Sequence, residues 1–166
     1  MKKKIFFIAF AVIGVVFFSV WIMRYSKHQK YRKSIHDISK INYKQLTLKE
    51  TQFYNSGHYN CFIIFNSDCD FCLDEIEDIV DNIELFKNVN FYLVSNQSEE
   101  NLLEYNEDSE FLDIKNFTIL YDKDARLLEF FGFPHTPSTY VYNKENRLIN
   151  YKNGFMEYYS LKNMLE

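Results

Sequence analysis

Cys69 and Cys72 are separated by two residues, a spacing at which two thiols can take part in the same reaction. They follow an apolar run at 59–66, which is typical of a strand buried on both faces. They begin a stretch with apolar residues every three or four positions and acidic residues, Glu75 among them, in between, which predicts an amphipathic helix. Unpaired N–H groups at a helix N-terminus stabilise a thiolate, and a second cysteine one turn later can resolve a mixed disulfide. The spacing therefore favours a redox couple.

Two other interpretations of the pair remain open, half of a metal site and a structural disulfide. Tetrahedral zinc needs four ligands, and the remaining thiol, Cys61, lies eight residues before Cys69 inside the predicted strand. The four histidines supply no second ligand pair with the usual spacing. A disulfide that closes so short a loop constrains the unfolded chain weakly. Cys61 itself is predicted to be a buried core thiol, which behaves as a small apolar side chain.

The predicted elements around the pair alternate between strands and helices. Strands are predicted at 59–66, 89–96 and 117–122. A helix is predicted to start at Ser98, a shorter one to end at Gly132, and a last one to close the chain. Two β-rich runs around the polar turn Asn143–Asn146 predict a hairpin. Because alternation implies parallel strands and a hairpin adds antiparallel ones, we expect an α/β fold with a mixed β-sheet flanked by helices.

The N-terminal residues differ sharply in composition from the rest of the chain. Residues 5–23 are 19 consecutive uncharged residues, enough to cross a bilayer core at about 1.5 Å per residue. The alternative is a cleaved signal peptide, but its apolar region is normally about 7–15 residues long and ends at small residues. We therefore expect a single N-terminal transmembrane helix, with an anchor and basic juxtamembrane segment at 1–33 and a folded domain at 34–166.

The distribution of charge indicates which partners fit. Residues 1–33 contain eight of the 19 basic residues and no acidic one, so the rest of the chain has 11 basic and 23 acidic residues. Such an acidic body repels nucleic acid, and no nucleic-acid partner is expected. Residues 24 to about 44 are basic and polar, which predicts a tether or a short juxtamembrane helix. More basic residues follow the apolar segment than precede it, which by count alone would place the domain in the cytoplasm. The three lysines directly before the apolar segment instead favour export.

The order of the elements, the motif "CDFC" and the segment "TPSTYVY" at 136–142 resemble the thioredoxin superfamily. Within it, the sequence is similar to the TlpA-like and redoxin branch of membrane-anchored thiol-disulfide oxidoreductases, over about residues 45–166. The resemblance implies that Cys69 is the attacking thiol and Cys72 the resolving thiol. It also implies that Pro137 follows a cis peptide bond and faces the pair, and that Thr136 helps to hold the extended chain of a substrate.

The sequence departs from thioredoxins next to the pair. Asp68 stands where thioredoxins have Trp, and Asp70 and Phe71 stand where they have Gly and Pro. The buried acid that precedes the first cysteine by six residues is replaced by Ile63. The proton acceptor for Cys72 is therefore unassigned at this point.

The function predicted from these features is that of a membrane-anchored thiol-disulfide oxidoreductase without a cofactor, which reduces disulfides in exported proteins. Asp68, Asp70 and Asp74 place negative charge near the pair, disfavour a thiolate and predict a reductant. The implied partners are proteins with thiols or disulfides, such as apocytochromes, and a membrane or thiol electron donor. The predicted location is a single-pass membrane protein with its C-terminal domain in the periplasm or outside the cytoplasm.

Two other functions remain open. A Sco-like copper-delivery protein would bind copper through Cys69, Cys72 and His135, although that family usually spaces its cysteines by three residues. A peroxiredoxin-like peroxidase would need a Thr-x-x-Cys arrangement, and Asn66 stands at the position of the Thr.

Overall fold

A computed structural model describes residues 12–27, 35–46, 57–109, 114 and 116–165. The chain divides into two compact units, Met1–Ile35 and His36–Glu166. In the first unit residues 12–27 form helix α1, on which Phe18, Trp21 and Tyr25 stack with successive ring centroids 5.9 and 5.8 Å apart. Within the described ranges, no helix has both the length and the apolar character needed to span a membrane. The predicted span at residues 5–23 lies partly outside these ranges.

A five-stranded mixed sheet forms the centre of the second unit. Its strands are β1 (Tyr59–Ile64), β2 (Val89–Ser95), β3 (Phe117–Tyr121), β4 (Ser138–Tyr142) and β5 (Leu148–Asn153). Their order in the sheet is β3-β2-β1-β4-β5. β1, β2 and β3 are mutually parallel, whereas β4 is antiparallel to both β1 and β5. The predicted α/β fold with a mixed sheet is confirmed, and the first three strands each end one or two residues earlier than predicted.

Four α-helices accompany the sheet in the described part of the second unit. They are α2 (Asp70–Asp81), α3 (Glu99–Asp108), α4 (Arg126–Phe130) and α5 (Tyr158–Leu165). Ser98 caps α3, since its hydroxyl accepts a hydrogen bond from the Asn101 N–H at 3.2 Å. Gly132 follows α4 with φ at 74°, a left-handed conformation that glycine adopts without a steric penalty.

Side chains of β1 alternate between two buried cores, one on each face of the sheet. Cys61 and Ile63 belong to the cluster that also contains Cys72 and Ile76 of α2 and Leu161 of α5. The opposite core, which we call the aromatic face, is centred on Phe62 and its ring contacts with Tyr43, Tyr92, Phe131 and Tyr142. Burial on both faces explains why β1 and β2 are almost continuously apolar.

The segment before β1 packs on the aromatic face, so the predicted tether is wrong for its last residues. Tyr43 is 7% exposed and its ring lies edge-on to Phe62 and Tyr92, while Ile38 is fully buried. The Ile38 N–H donates to the Asn146 carbonyl at 3.2 Å, in the β4–β5 turn. Because Asn60 at the start of β1 pairs with Tyr142, this turn lies at the end of the sheet opposite the C-terminal end of β1.

Candidate functional site

The C-terminal end of β1 leads directly into the cysteine pair at the start of α2. Cys69 is the N-cap residue of this helix, and its carbonyl accepts hydrogen bonds from the N–H groups of Cys72 at 2.8 Å and Leu73 at 3.1 Å. Cys69 is half-buried, Cys72 is fully buried, and both are free thiols. The pair therefore consists of one accessible and one inaccessible sulfur at the positive end of a helix.

The surroundings of Cys72 keep its thiol protonated. Burial, followed by a side-chain hydrogen bond to Cys69, raises the pKa of Cys72 to about 12. Hydrogen bonds with the Asn66 backbone and the Thr136 side chain lower the pKa and only partly offset this rise. The side chains of Cys72 and Cys69 therefore lie within hydrogen-bonding reach of each other.

The loop before β4 passes beside the pair. The Thr136–Pro137 peptide bond is cis, as the resemblance implies. Pro137 is buried and precedes Ser138, which pairs with Ile64 at the end of β1. Thr136 is exposed, and its side chain reaches Cys72. The structure therefore brings together the four predicted site residues, whose individual roles stay predictions.

Sequence reasoning missed a buried acid in the same helix, Glu75. We expected it on the solvent-exposed side of α2, but its exposed fraction is 0%. The Thr139 hydroxyl donates to its Oε1 at 2.5 Å, and the Met156 N–H donates to its Oε2 at 2.9 Å. Burial raises the pKa of Glu75 to about 7, although these two hydrogen bonds and the charge of Lys152 oppose the rise. This carboxyl group therefore titrates near neutral pH.

The register of α2 contained the information needed to find Glu75. The buried residues of this helix are Cys72, Glu75, Ile76 and Ile79, which lie three or four positions apart along one face. If Cys72 is placed inside, Glu75 one turn later must also be inside. Ile63, where thioredoxins carry their acid, is fully buried. The buried carboxyl is thus supplied by the helix and not by β1.

The remaining candidate ligands do not assemble near the pair. His135 is exposed, and no group of three or more His, Cys, Asp or Glu side chains in the described part of the chain is placed to hold a metal ion. The copper interpretation therefore has no ligand group to support it among those residues. Cys61 is fully buried, as predicted for a core thiol, and burial raises its pKa well above the usual value.

Comparison with known proteins identifies the family. The model of the AhpC/TSA family matches residues 27–151, whereas no curated protein matches the chain. Similar solved structures include StoA from Bacillus subtilis, with 19% identity, a TM-score of 0.54 and coverage of 68% of this chain and 85% of that one. The pneumococcal exposed lipoprotein thioredoxin Etrx1 from Streptococcus pneumoniae has 23% identity, a TM-score of 0.56 and coverage of 66% and 84%.

A third similar structure is a secreted Mycobacterium tuberculosis disulfide oxidoreductase homologous to Escherichia coli DsbE. It has 17% identity and a TM-score of 0.57, and the match covers 72% of this chain and 90% of that one. At such identities these likenesses establish the thioredoxin-like fold alone. Because the family model matches well over half of its residues, the chain belongs to the AhpC/TSA family.

Proposed function

We propose that this protein is a thiol-disulfide oxidoreductase whose redox centre is the pair Cys69 and Cys72, and that it reduces disulfides in exported proteins. The observation that carries the proposal is the asymmetry of the pair, an accessible sulfur hydrogen-bonded to a buried, protonated one. The attacking thiol must be accessible to the substrate, whereas the resolving thiol reacts only after the mixed disulfide has formed. Membership of the AhpC/TSA family and the thioredoxin-like fold support the same activity.

The reaction transfers two electrons in two exchanges. The Cys69 thiolate attacks one sulfur of a substrate disulfide, so that bond breaks, a mixed disulfide forms and the second substrate sulfur leaves as a thiolate. Cys72 then loses its proton and attacks the Cys69 sulfur. The first substrate sulfur leaves as a thiolate, and the Cys69–Cys72 disulfide remains. The substrate is reduced by two electrons, and a dithiol electron donor must reduce the pair again before the next turnover.

The second exchange needs a proton acceptor, because the pKa of Cys72 lies far above neutral pH. We assign this role to Glu75, which is buried one helical turn after Cys72. Burial raises the pKa of its carboxyl group to about 7, so it can accept and release a proton at neutral pH. Glu75 thereby replaces the acid that is absent at Ile63.

The loop with the cis peptide bond is the proposed binding site for the substrate chain. Thr136 is exposed beside Cys72, and Ser138 continues into β4 next to the end of β1. An extended peptide laid beside Thr136 and Pro137 would bind by hydrogen bonds to the backbone of Thr136, which precedes β4. Its cysteine would then approach the accessible sulfur of Cys69.

The proposed direction of electron flow is reduction of the substrate. Burial disfavours the thiolate of Cys72 and so raises its pKa, and Asp68, Asp70 and Asp74 add exposed negative charge around the start of α2. A less stabilised thiolate corresponds to a lower reduction potential, so we expect a value nearer to that of thioredoxin, about −270 mV, than to that of DsbA, about −120 mV.

The proposed location is the membrane, with the domain outside the cytoplasm. The apolar residues 5–23 and the eight basic residues of 1–33 support an uncleaved anchor. In the described part of this segment, apolar side chains of α1 are exposed, for example Phe17 at 72%. In intact cells, a membrane-impermeant maleimide should label Cys69, and alkaline carbonate should leave the protein in the membrane fraction. Labelling only after lysis, or release by carbonate, would contradict this location.

The experiment that tests the activity is trapping with Cys72→Ser in cells. Without the resolving thiol, the first exchange should accumulate as mixed disulfides between Cys69 and substrate proteins, which non-reducing gels and mass spectrometry identify. The matched control is Cys69→Ser with Cys72 retained, which should trap none because the remaining thiol is buried. Equal trapping by both variants, or none by either, would contradict the proposal.

A further inference from the structure

We propose that the site prefers substrates in which the reacting cysteine is flanked by an apolar side chain and by a lysine or arginine. This inference rests on the proposed oxidoreductase function and adds the class of its substrate. It is carried by two exposed phenylalanines and three exposed aspartates on the two segments that form the site.

The most exposed large apolar side chains in the described part of the second unit both belong to the site. Phe71 is 67% exposed and Phe133 is 65% exposed, and the next are Leu85 at 50% and Tyr159 at 49%. Phe71 lies between the two cysteines, and Phe133 lies in the loop that runs to Thr136. Single apolar residues scattered over a surface are ordinary. Two of them on the two segments that bear the reacting sulfur and the cis bond indicate a contact surface.

The backbone at Phe133 strengthens this interpretation. Its φ is 51°, in the left-handed region, which is sterically unfavourable for an L-residue with a bulky side chain. The conformation is fixed by the end of α4, because the Phe133 N–H donates to the Leu128 carbonyl at 2.7 Å. Since the ring is largely exposed, contacts inside the domain do little to offset this cost. Contact between the ring and a bound polypeptide would offset this cost. Backbone strain of this kind clusters at functional sites.

The charges around the phenylalanines determine which polypeptide segments are attracted to this surface. Asp68, Asp70 and Asp74 are exposed in the loop before α2 and at the start of the helix. A segment with lysine or arginine beside its cysteine would be attracted, and an acidic segment would be repelled. Because these carboxylates are exposed, the attraction is modest and is screened by salt. The occupant that fits both features is a basic and apolar polypeptide segment that contains a disulfide.

The test compares four matched peptides, each closed by one intramolecular disulfide. The two residues that flank the reacting cysteine are Leu and Lys, Leu and Glu, Ser and Lys, or Ser and Glu. The reduced full-length chain in detergent is mixed with each peptide, and acid quenching with mass spectrometry gives the rate of peptide reduction. Each rate is divided by the rate with 2-hydroxyethyl disulfide on the same preparation, which removes differences in the chemistry of the pair.

We expect the Leu and Lys peptide to react about tenfold faster than the Ser and Glu peptide, from partial burial of one Leu and one screened charge contact. Phe71→Ser and Phe133→Ser should each reduce the preference for Leu to about twofold. Leu85→Ser, which removes an exposed apolar side chain at the opposite end of the sheet, should leave it unchanged. The double variant Asp70→Asn with Asp74→Asn, or 1 M salt, should remove the preference for Lys.

The outcomes separate the two proposals. Equal normalised rates for all four peptides would overturn the substrate class while the oxidoreductase function stands. A preference that survives in both phenylalanine variants would also overturn it. If neither the peptides nor 2-hydroxyethyl disulfide were reduced, the proposed function itself would fail, and the substrate class with it.

Discussion

Two buried polar networks lie at opposite ends of the sheet, and they differ in whether they can change charge. At the end with the cysteines, Glu75 accepts hydrogen bonds from Thr139 and from the backbone of Met156. At the other end, three amides connect neighbouring elements. Asn90 Nδ2 donates to Asn60 Oδ1, and Asn60 Nδ2 donates to Asn146 Oδ1, both at 3.0 Å.

The end of the sheet with the cysteines can exchange protons, whereas the opposite end has a structural role only. Amides do not titrate in the physiological pH range, so the bonds between Asn60, Asn90 and Asn146 stay the same whatever the pH. A carboxyl group with a pKa raised to about 7 and a buried thiol can both exchange protons. We infer that the site end carries protons for the reaction, while the other end holds β1, β2 and the β4–β5 turn in register.

The largest expected effect comes from substituting Cys72, and the matched comparison is Cys61, the other buried thiol of the same core cluster. Cys72→Ser should lower turnover with a disulfide substrate at least about 1,000-fold, because the mixed disulfide can no longer be resolved. Cys61→Ala should leave turnover within about twofold and lower the free energy of unfolding by about 1 kcal/mol, since it removes a small buried side chain. Steady-state assays and urea denaturation measure both. A comparable loss of turnover in both variants would remove the distinction between them.

The next effect tests whether Glu75 titrates as the structure indicates. Its proton is kept in the folded state up to pH about 7, whereas the unfolded chain releases it near the ordinary value of 4.5. Between these values the folded state binds more protons, so the free energy of unfolding falls as pH rises, by up to about 1.4 kcal/mol per pH unit. Glu75→Gln removes this titration. The stability of the wild type relative to this variant should therefore fall between pH 4.5 and 7, by at most about 3 kcal/mol, and stay level at higher pH.

Urea denaturation of both chains over this pH range measures the difference. Parallel curves would show that Glu75 is ionised in the folded state throughout. The same variant should slow the second exchange and flatten its dependence on pH near neutrality, which rapid quenching of the mixed disulfide measures. A purely structural role for Glu75 would change stability but would leave the shape of that pH profile intact.

A smaller effect, independent of pH, is expected at the opposite end. Asn60→Ala removes the bridging amide and leaves the buried amide of Asn90 and the part-buried amide of Asn146 without this partner, at a cost of about 1–3 kcal/mol in unfolding free energy. The loss should be the same from pH 5 to pH 8, with turnover per folded molecule unchanged. A loss that varied with pH would mean that this network couples to a titrating group.

The smallest effect is expected for the ion pair that joins the segment before β1 to the start of β5. Arg147 Nη1 lies 2.8 Å from Asp37 Oδ2, and the Arg147 side chain is 51% exposed. The Asp37 side chain is 15% exposed. Because water still reaches the Arg147 end of the pair, Arg147→Ala should cost less than about 1 kcal/mol, and most of that should vanish in 0.5 M salt. A cost that high salt leaves unchanged would indicate lost packing of the side chain instead.

The sequence was sufficient to predict the order of elements and the mixed sheet. Strands buried on both faces are continuous apolar runs, and the starts and ends of helices depend on local residues such as Ser98 and Gly132. The cysteine pair could also be placed at a helix N-terminus, because its spacing and the change of hydrophobic period are local features. The position of Thr136 and Pro137 near the pair came from the resemblance and not from the pattern.

Two features escaped prediction because they depend on partners far away in the chain. Glu75 resembles its acidic neighbours until Thr139 and the Met156 backbone are known to face it across the core. Tyr43 lies in a basic, weakly periodic segment, and its burial follows from contact with Phe62 and Tyr92 on the sheet. Local composition does not distinguish a polar residue that finds buried partners from one that faces water.

The most direct test of the central claim is peptide mapping of the full-length chain after equilibration in a series of glutathione redox buffers. If Cys69 and Cys72 form a redox couple, one disulfide joining them should appear with a two-electron dependence, a tenfold change in ratio for about every 30 mV. Cys61, which is fully buried, should stay reduced throughout. Separate glutathione adducts on the two cysteines, or a disulfide that includes Cys61, would contradict the account.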